Sequence, residues 1–304
     1  MVFLCWVLAH VVRCHTIPHM HINWNAHWRL MRFDRPIGML LLLWPTLWAL
    51  WIAGQGSPSL KNLLIFCTGV VLMRAAGCIM NDVADRNFDG HVDRTRSRPL
   101  AAGELTVRQA LVAFGLLMLL AFGLVLLTNA LTIKLAFAGA LLASTYPFFK
   151  RWTHFPQVVL GLAFGWGIPM AFAAETGRVP VIAWMILLIN VVWSVIYDTL
   201  YAMVDRDDDI SIGLKSTAIL FGRHDLLILR LLKIWMITLL LLLGWIMGFA
   251  WPWFSGVAIV AALFAMQQYN VRNRDREACF KAFLNNNWVG LAILVGLLID
   301  YAIR

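Results

Sequence analysis

Apolar runs long enough to cross a lipid bilayer fill most of this chain, and they leave little room for any other architecture. A spanning helix needs about 20 mostly apolar residues. Nine such runs can be read, at roughly 37–54, 61–82, 107–127, 130–148, 157–174, 180–203, 229–249, 251–270 and 287–303. Pro36, Pro156, Pro180 and Pro252 bound several of them. The chain is 61% hydrophobic and 13% charged, where a soluble domain carries about 25% charged residues. The expected fold is therefore all-α: a polytopic membrane protein with nine transmembrane helices. No linker divides it, so one domain is expected over 28–304, after an N-terminal extension at 1–27.

The extension does not read as a signal peptide. Its opening run, M-V-F-L-C-W-V-L-A-H-V-V-R-C-H, lacks a basic start and a small-residue cleavage site. Met20 opens a plausible natural start, so an over-extended start is expected, with an interfacial segment as the alternative. His15, His19 and His21 read better as tail residues than as a metal site. Cys5, Cys14, Cys67, Cys78 and Cys279 show no paired spacing, and a disulfide framework is not expected.

Charge sets an orientation. With the N-terminus in the cytoplasm, one side receives Arg29, Arg32, Arg35, Arg86, Arg94, Arg96, Arg98, Arg108, Lys150 and Arg151. It also receives Arg206, Lys215, Arg223, Arg230, Lys233, Arg272, Arg274, Arg276 and Lys281. The other side keeps Lys61, Lys134, Arg178 and Arg304. That asymmetry supports nine spans with the N-terminus inside. The net charge of +9 is thus dispersed in loops rather than gathered in a stripe, and nucleic acid is not an expected partner.

Nine of the 16 acidic residues fall in two stretches on this cytoplasmic side. The first holds Asp82, Asp85, Asp89 and Asp93; the second holds Asp198, Asp205, Asp207, Asp208 and Asp209. Ionisable residues at the edge of a bilayer are costly and usually functional. Asn81, Asp85 and Asp89 recur at i, i+4, i+8, with Asp82 three before Asp85, so a helix stacks them on one face. Asp205 and Asp209 repeat the i, i+4 spacing, with Asp198 seven residues earlier. Stacked carboxylates repel one another unless a cation holds them. Mg²⁺ typically takes one or two carboxylates and completes its shell with phosphates and water. A solvated acidic loop is the plainer alternative for either stretch, and Asp207 and Asp208 point elsewhere on helical geometry. The stretches lie about 116–120 residues apart, each after an apolar helix, which hints at a weak internal repeat.

Aromatic and basic residues accompany the acids. Trp193, Tyr197 and Tyr201 recur at i, i+4, i+8, and Tyr146 ends the fourth run. Ring faces stabilise cations, although interfacial packing explains any one of these rings equally well. Tyr146 and Tyr197 are the two taken as site candidates. Arg74, Arg86, Lys150 and Arg151 could neutralise a diphosphate, an arginine fork also suits a carboxylate, and anchoring at the cytoplasmic face is the plainer alternative for most of them. Arg74 stands out because it lies inside an apolar run, where an arginine needs a partner. Nucleotide-loop, zinc-protease and serine-hydrolase motifs have no support.

These strings resemble a known family. N-D-V-A-D-R-N-F-D followed by R-T-R-S-R-P-L resembles the first signature of the UbiA-type intramembrane prenyltransferases. Y-D-T-L-Y-A-M-V-D-R-D-D-D followed by I-G-L-K-S-T-A-I-L-F-G resembles the second. R-P-I-G-M-L-L-L-L-W-P, L-M-R-A-A-G-C, Y-P-F-F-K-R-W-T-H-F-P-Q-V-V-L-G and N-R-D-R-E-A-C-F-K-A-F-L-N-N-N extend the likeness over about 28–303. The resemblance implies a central cavity open sideways to lipid, in the inner membrane of a bacterium. It implies Mg²⁺-dependent transfer of a polyprenyl chain from its diphosphate to the ring carbon ortho to the hydroxyl of 4-hydroxybenzoate. It assigns one Mg²⁺ to Asn81 and Asp85 with Asp89 in support, and another to Asp205 and Asp209. Asp82 is grouped with the metal set and Asp198 with the catalytic one, and Arg35 and Arg74 are the candidates for the carboxylate of 4-hydroxybenzoate. Another acceptor within the family is the first alternative, and a cation or lipid transporter the second.

Overall fold

The computed structural model describes residues 23–86, 95–211 and 213–304. Asp89, Asp93, Arg94, Cys5, Cys14 and the histidines at 15, 19 and 21 lie outside the described residues. All regular structure among the described residues is helical. Seven segments are long and apolar enough to span a membrane: Leu60–Asp85, Val107–Leu126, Ala130–Trp152, Pro156–Thr176, Val181–Val204, Thr217–Ile246 and Arg276–Ile303. A shorter apolar helix, Ile37–Ala53, joins them. The protein is a multi-pass membrane protein. The eighth expected run forms a helix of 20 residues, Trp251–Asn270, outside those seven.

In chain order the helices are α1 (Trp24–Leu30), α2 (Ile37–Ala53), α3 (Leu60–Asp85), α4 (Val107–Leu126) and α5 (Ala130–Thr145). A 3-10 turn, Tyr146–Phe148, leads into α6 (Phe149–Trp152). Then follow α7 (Pro156–Gly165), α8 (Gly167–Thr176), α9 (Val181–Val204), α10 (Arg206–Ser211) and α11 (Thr217–Phe221). The chain closes with α12 (Asp225–Ile246), α13 (Trp251–Asn270) and α14 (Arg276–Ile303). α1 runs across the boundary expected at residue 27.

Local chemistry explains where several ends fall. Pro147 stops α5 from continuing, because a proline nitrogen has no proton to give the helix ladder. The run expected at 157–174 breaks at Trp166, whose indole donates instead to the Leu135 carbonyl of α5 at 2.8 Å. α14 starts eleven residues before the expected 287, capped by the Asp275 carboxylate on the Ala278 amide. Its asparagines look like loop residues in one dimension. In the fold, Asn285 accepts from Gln267 at 2.9 Å, Asn286 from the Trp193 indole at 3.0 Å and Asn287 from the Trp44 indole at 2.9 Å. Polar pairs of this kind join helices where lipid tails provide no hydrophobic drive.

Small residues bring the backbones close. A Cβ on Gly256 would come within 2.8 Å of the Ala292 carbonyl oxygen, and one on Gly296 within 2.9 Å of the Pro252 carbonyl oxygen. This is the close approach typical of membrane helix pairs. α9 is the central post, with most of one face buried, including Ile186, Ile189, Trp193, Tyr197 and Leu200. A second, smaller core forms where α1, α3 and α4 meet around Leu30, Ile79 and Ala110.

Candidate active site

The C-terminal turns of α3 carry the first acidic stretch. The helix continues past the apolar run to Asp85, so Asn81, Asp82 and Asp85 all have helical backbones. The register separates two of them. Asp85 is buried, and its Oδ2 accepts from Lys150 Nζ at 2.5 Å. Its other oxygen, Oδ1, is buried with no hydrogen-bond partner. Asp82, expected with the metal ligands, is engaged elsewhere. Both its oxygens accept from Arg32 Nη2, at 2.8 and 2.9 Å, and Arg98 lies 3.2 Å away. Two guanidiniums on one buried carboxylate leave it tying α1 and the 95–100 turn to α3.

The second stretch sits where α9 gives way to α10. Asp205 occupies the break, and the Asp209 amide bonds back to the Asp205 carbonyl at 2.8 Å, one turn apart. Asp198 lies deeper on α9, hydrogen-bonded to the buried Gln157 side chain and within electrostatic range of both Asp205 and Asp209. Gln157 also accepts from the Thr217 amide at 3.2 Å, so one side chain links α7, α9 and α11. Asp207 is 80% exposed and pairs with Arg276 at 3.0 Å, while Asp208 stands 3.8 Å from the same guanidinium. Both are turned to the surface, as their helical phase requires.

The segment 146–152 bridges the two stretches. Lys150 reaches Asp85, and Arg151 donates to the Ala84 carbonyl at 2.7 Å. The Lys150 carbonyl in turn accepts from the Lys215 amide at 2.9 Å, beyond the second stretch. Tyr146 lies within electrostatic range of both Asp85 and Asp198. The two acidic stretches therefore flank one region rather than forming separate sites.

Below them lies a cavity of about 590 Å³, walled by α2, α3, α4, α5, α7 and α8. Its lining is almost entirely apolar, with Arg74 and Tyr146 at its polar end. Leu119 of α4 and Phe137 of α5 both line it, and they are 70% and 62% exposed on the outer surface. The cavity therefore opens sideways, towards lipid. Arg74 lies beside the backbone of α2 at Gly38, where a Cβ would collide with its guanidinium. Its charge sits 5.6 Å from the Phe164 ring centroid. Its Nε is buried with no hydrogen-bond partner, an arrangement that suits an anionic guest.

The remaining candidates are placed less centrally. Tyr197 is in the core, its hydroxyl 2.9 Å from Ser194 Oγ and its ring edge-on to Trp193. Arg86 is exposed and donates to its own helix at the Val83 carbonyl. Arg35 is 69% exposed beside Asp34. Gln157, Gly38 and Arg32 were not singled out from the sequence, although Gly38 and Gln157 lie within strings that carry the family likeness, and their contacts reveal them.

The donor set can be tested against a divalent metal. Asn81 and Asp85, and Asp205 and Asp209, offer only oxygen, the chemistry of a hard cation. The orphaned Oδ1 of Asp85 is a buried acceptor in want of a cation. Among the described residues, no three histidine, cysteine or carboxylate side chains converge closely enough to hold a metal by themselves. Paired carboxylates that share a cation with a phosphate ligand meet that description.

Comparison with known proteins agrees with this architecture. The model of the UbiA prenyltransferase family matches residues 42–291. The 4-hydroxybenzoate octaprenyltransferase of Yersinia pseudotuberculosis serotype O:3 (strain YPIII) is 55% identical over 282 residues, 93% of this chain and 98% of that protein. The protein of the same name from Pseudomonas aeruginosa (strain LESB58) is 57% identical over 276 residues, 91% of this chain and 93% of that one. Among solved structures, an apo UbiA homologue from Aeropyrum pernix K1 superposes with a TM-score of 0.77 at 22% identity, over 88% of this chain and 98% of that one. A UbiA homologue from Archaeoglobus fulgidus bound to GPP and Mg²⁺ superposes at 0.70 and 18% identity, over 88% and 99%. Fold, paired acidic stretches and sequence likeness converge: the chain belongs to the UbiA prenyltransferase family.

Proposed function

We propose that this protein is a 4-hydroxybenzoate polyprenyltransferase. It transfers a polyprenyl group from polyprenyl diphosphate to the ring carbon ortho to the phenolic hydroxyl, giving 3-polyprenyl-4-hydroxybenzoate and diphosphate for ubiquinone synthesis. The observation that supports this reading is an apolar cavity with Arg74 and Tyr146 at its polar end, on the helix and turn that also carry Asp85 and its partner Lys150. The relatives named for this activity are 55–57% identical over nine-tenths of the chain.

The residues divide the work. Asn81 and Asp85, with Asp89 from outside the described residues, would hold one Mg²⁺; Asp205 and Asp209 would hold the other. When bound, Mg²⁺ supplies the positive charge that stabilises a departing diphosphate. Lys150 and Arg151 stand beside Asp85 and Ala84, where their charge adds to that stabilisation. The apolar lining accepts the prenyl tail and excludes water, which would quench an allylic cation. Tyr146 presents a ring at the cavity's polar end, suited to an electron-poor carbon. Arg74 meets the acceptor's carboxylate. The ring carbon then bonds to the allylic carbon as the carbon–oxygen bond to diphosphate breaks, and the ring loses its proton. Asp198, braced by Gln157, is the carboxylate placed to receive it.

The active site faces the cytoplasm of a bacterial inner membrane on this reading, as the distribution of arginine and lysine requires. The test uses membranes containing the full chain, 4-hydroxybenzoate, a polyprenyl diphosphate and Mg²⁺, with and without EDTA, read by mass spectrometry. A ring-prenylated benzoate that disappears with EDTA is the expected result. A folded protein that forms no such product with any chain length would sink the assignment.

A further inference from the structure

Each acidic stretch is accompanied by a nearly solvent-free aspartate that carries two arginines. Within the first, Asp82 holds Arg32 and Arg98. Behind the second, Asp225 holds Arg206 and Arg274. In each pair one arginine has a left-handed backbone, φ 59° at Arg32 and φ 56° at Arg274. Non-glycine residues keep that conformation where surrounding contacts impose it.

Asp225 opens α12 and is completely buried. It joins three distant segments. Arg206 follows Asp205 at the break between α9 and α10, and its Nη2 donates to Asp225 Oδ2. Arg274, in the turn between α13 and α14, donates from Nε and Nη2 to Oδ1 at 3.0 and 2.8 Å. Arg274 also donates to the Arg223 carbonyl at 3.0 Å, which closes the turn. On the outer side, Arg276 takes Asp207 and Asp208.

The charges of D-R-D-D-D are thereby sorted. Its single cation is drawn back into Asp225, and two of its anions are drawn outward to Arg276. Asp205 and Asp209 both lie within electrostatic range of Asp198, and Asp205 also within that of Arg276. Released from Asp225, the Arg206 guanidinium would have the neighbouring carboxylates as its nearest partners, and a bidentate arginine is a strong competitor for a carboxylate.

We propose that Asp225 is a positioning residue for the second metal-binding wall: it holds Arg206 back so that Asp205 and Asp209 serve a divalent cation and its diphosphate. The inference rests on the function proposed above.

The experiment measures Mn²⁺ binding by electron paramagnetic resonance on the detergent-purified full chain with inorganic pyrophosphate. It compares wild type, Asp225→Asn, Arg206→Met, the double variant and Asp225→Glu. Asp225→Asn should weaken Mn²⁺ binding about tenfold, the usual effect of removing a residue that orients metal ligands. It should also raise the Mg²⁺ concentration needed for half-maximal prenyl transfer while changing kcat at saturating Mg²⁺ much less. Arg206→Met should restore Mn²⁺ binding in the Asp225→Asn background, because the competing cation is gone, and Asp225→Glu should recover part of it. Unchanged Mn²⁺ affinity in Asp225→Asn beside a lowered Tm would overturn the proposal and leave Asp225 a structural residue. Failure of Arg206→Met to restore binding would overturn it too. If Asp225→Asn does not fold, Arg206→Met alone decides: binding at or above wild type is expected, and a tenfold loss refutes the idea. A wild-type chain that binds no Mn²⁺ would instead overturn the metal reading itself, and this inference with it.

Discussion

Lys150 Nζ lies 2.5 Å from Asp85 Oδ2, across 65 residues of sequence. The pair joins the short α6 to the end of α3 and sets a cation directly on a metal-ligand candidate. On the proposed function, Lys150 would have two partners in turn: the Asp85 carboxylate before the donor arrives, and the diphosphate afterwards.

Lys150→Met should separate these roles. Without the competing ammonium, Mn²⁺ should bind the substrate-free chain more tightly. The KM for polyprenyl diphosphate should rise about tenfold or more, the worth of a charge-assisted hydrogen bond. Metal titration by electron paramagnetic resonance beside steady-state kinetics checks both. Weakened metal binding would mean that Lys150 supports Asp85 instead of competing for it.

Asp82 and Asp85 are three residues apart and should fail differently. Asp85→Ala, like Asp205→Ala, should abolish nearly all prenyl transfer while leaving the protein folded in detergent. Asp82→Ala strands Arg32, which is 17% exposed, and should cost about 3 kcal/mol of stability, as removing one member of a buried ion pair does. Thermal unfolding in detergent distinguishes them, and an unchanged Tm for Asp82→Ala would remove its structural role. Asp207→Asn, at an exposed position, should be mild.

Gly38 leaves space for the Arg74 guanidinium. Gly38→Ala should push that side chain aside without unfolding the helix, since alanine favours helix over glycine by about 1 kcal/mol. The expected result is a raised KM for 4-hydroxybenzoate with the donor KM nearly unchanged. An effect confined to the donor would reassign Arg74 to the diphosphate.

Gly77 lines the cavity, and a Cβ there would meet no atom within 4 Å. Gly77→Leu should therefore fold and narrow the cavity. Long-chain donors should lose kcat/KM relative to a ten-carbon donor, measured by product mass spectrometry. Equal rates for both would place the tail outside this cavity.

The acidic stretches were legible because Asn81 and Asp85 are one helical turn apart and few acids occur elsewhere. The apolar runs were legible because a bilayer demands length and hydrophobicity from each span independently. Asp82 shows the limit of that reasoning. Its i, i+3 relation to Asp85 suggested a shared task, but a helix turns about 300° over three residues, and the residual angle was enough for Arg32 and Arg98 to claim it. Asn285 and Asn286 fell outside the apolar run read from 287, because hydropathy does not count polar pairs between helices, yet with Asn287 they are contacts that anchor α14.

The sequence by itself determined an all-helical membrane chain and its two acidic stretches, which follow from residue type and local spacing, and its family, which follows from the likeness of long strings. Tertiary structure decided that Arg32 and Arg98 take Asp82, that Lys150 joins the end of α3 to the segment beyond the second stretch, that Gln157 links α7, α9 and α11, and that Asp225 holds Arg206. Those relationships depend on side chains that meet across tens to hundreds of residues, and no local periodicity encodes where helices cross.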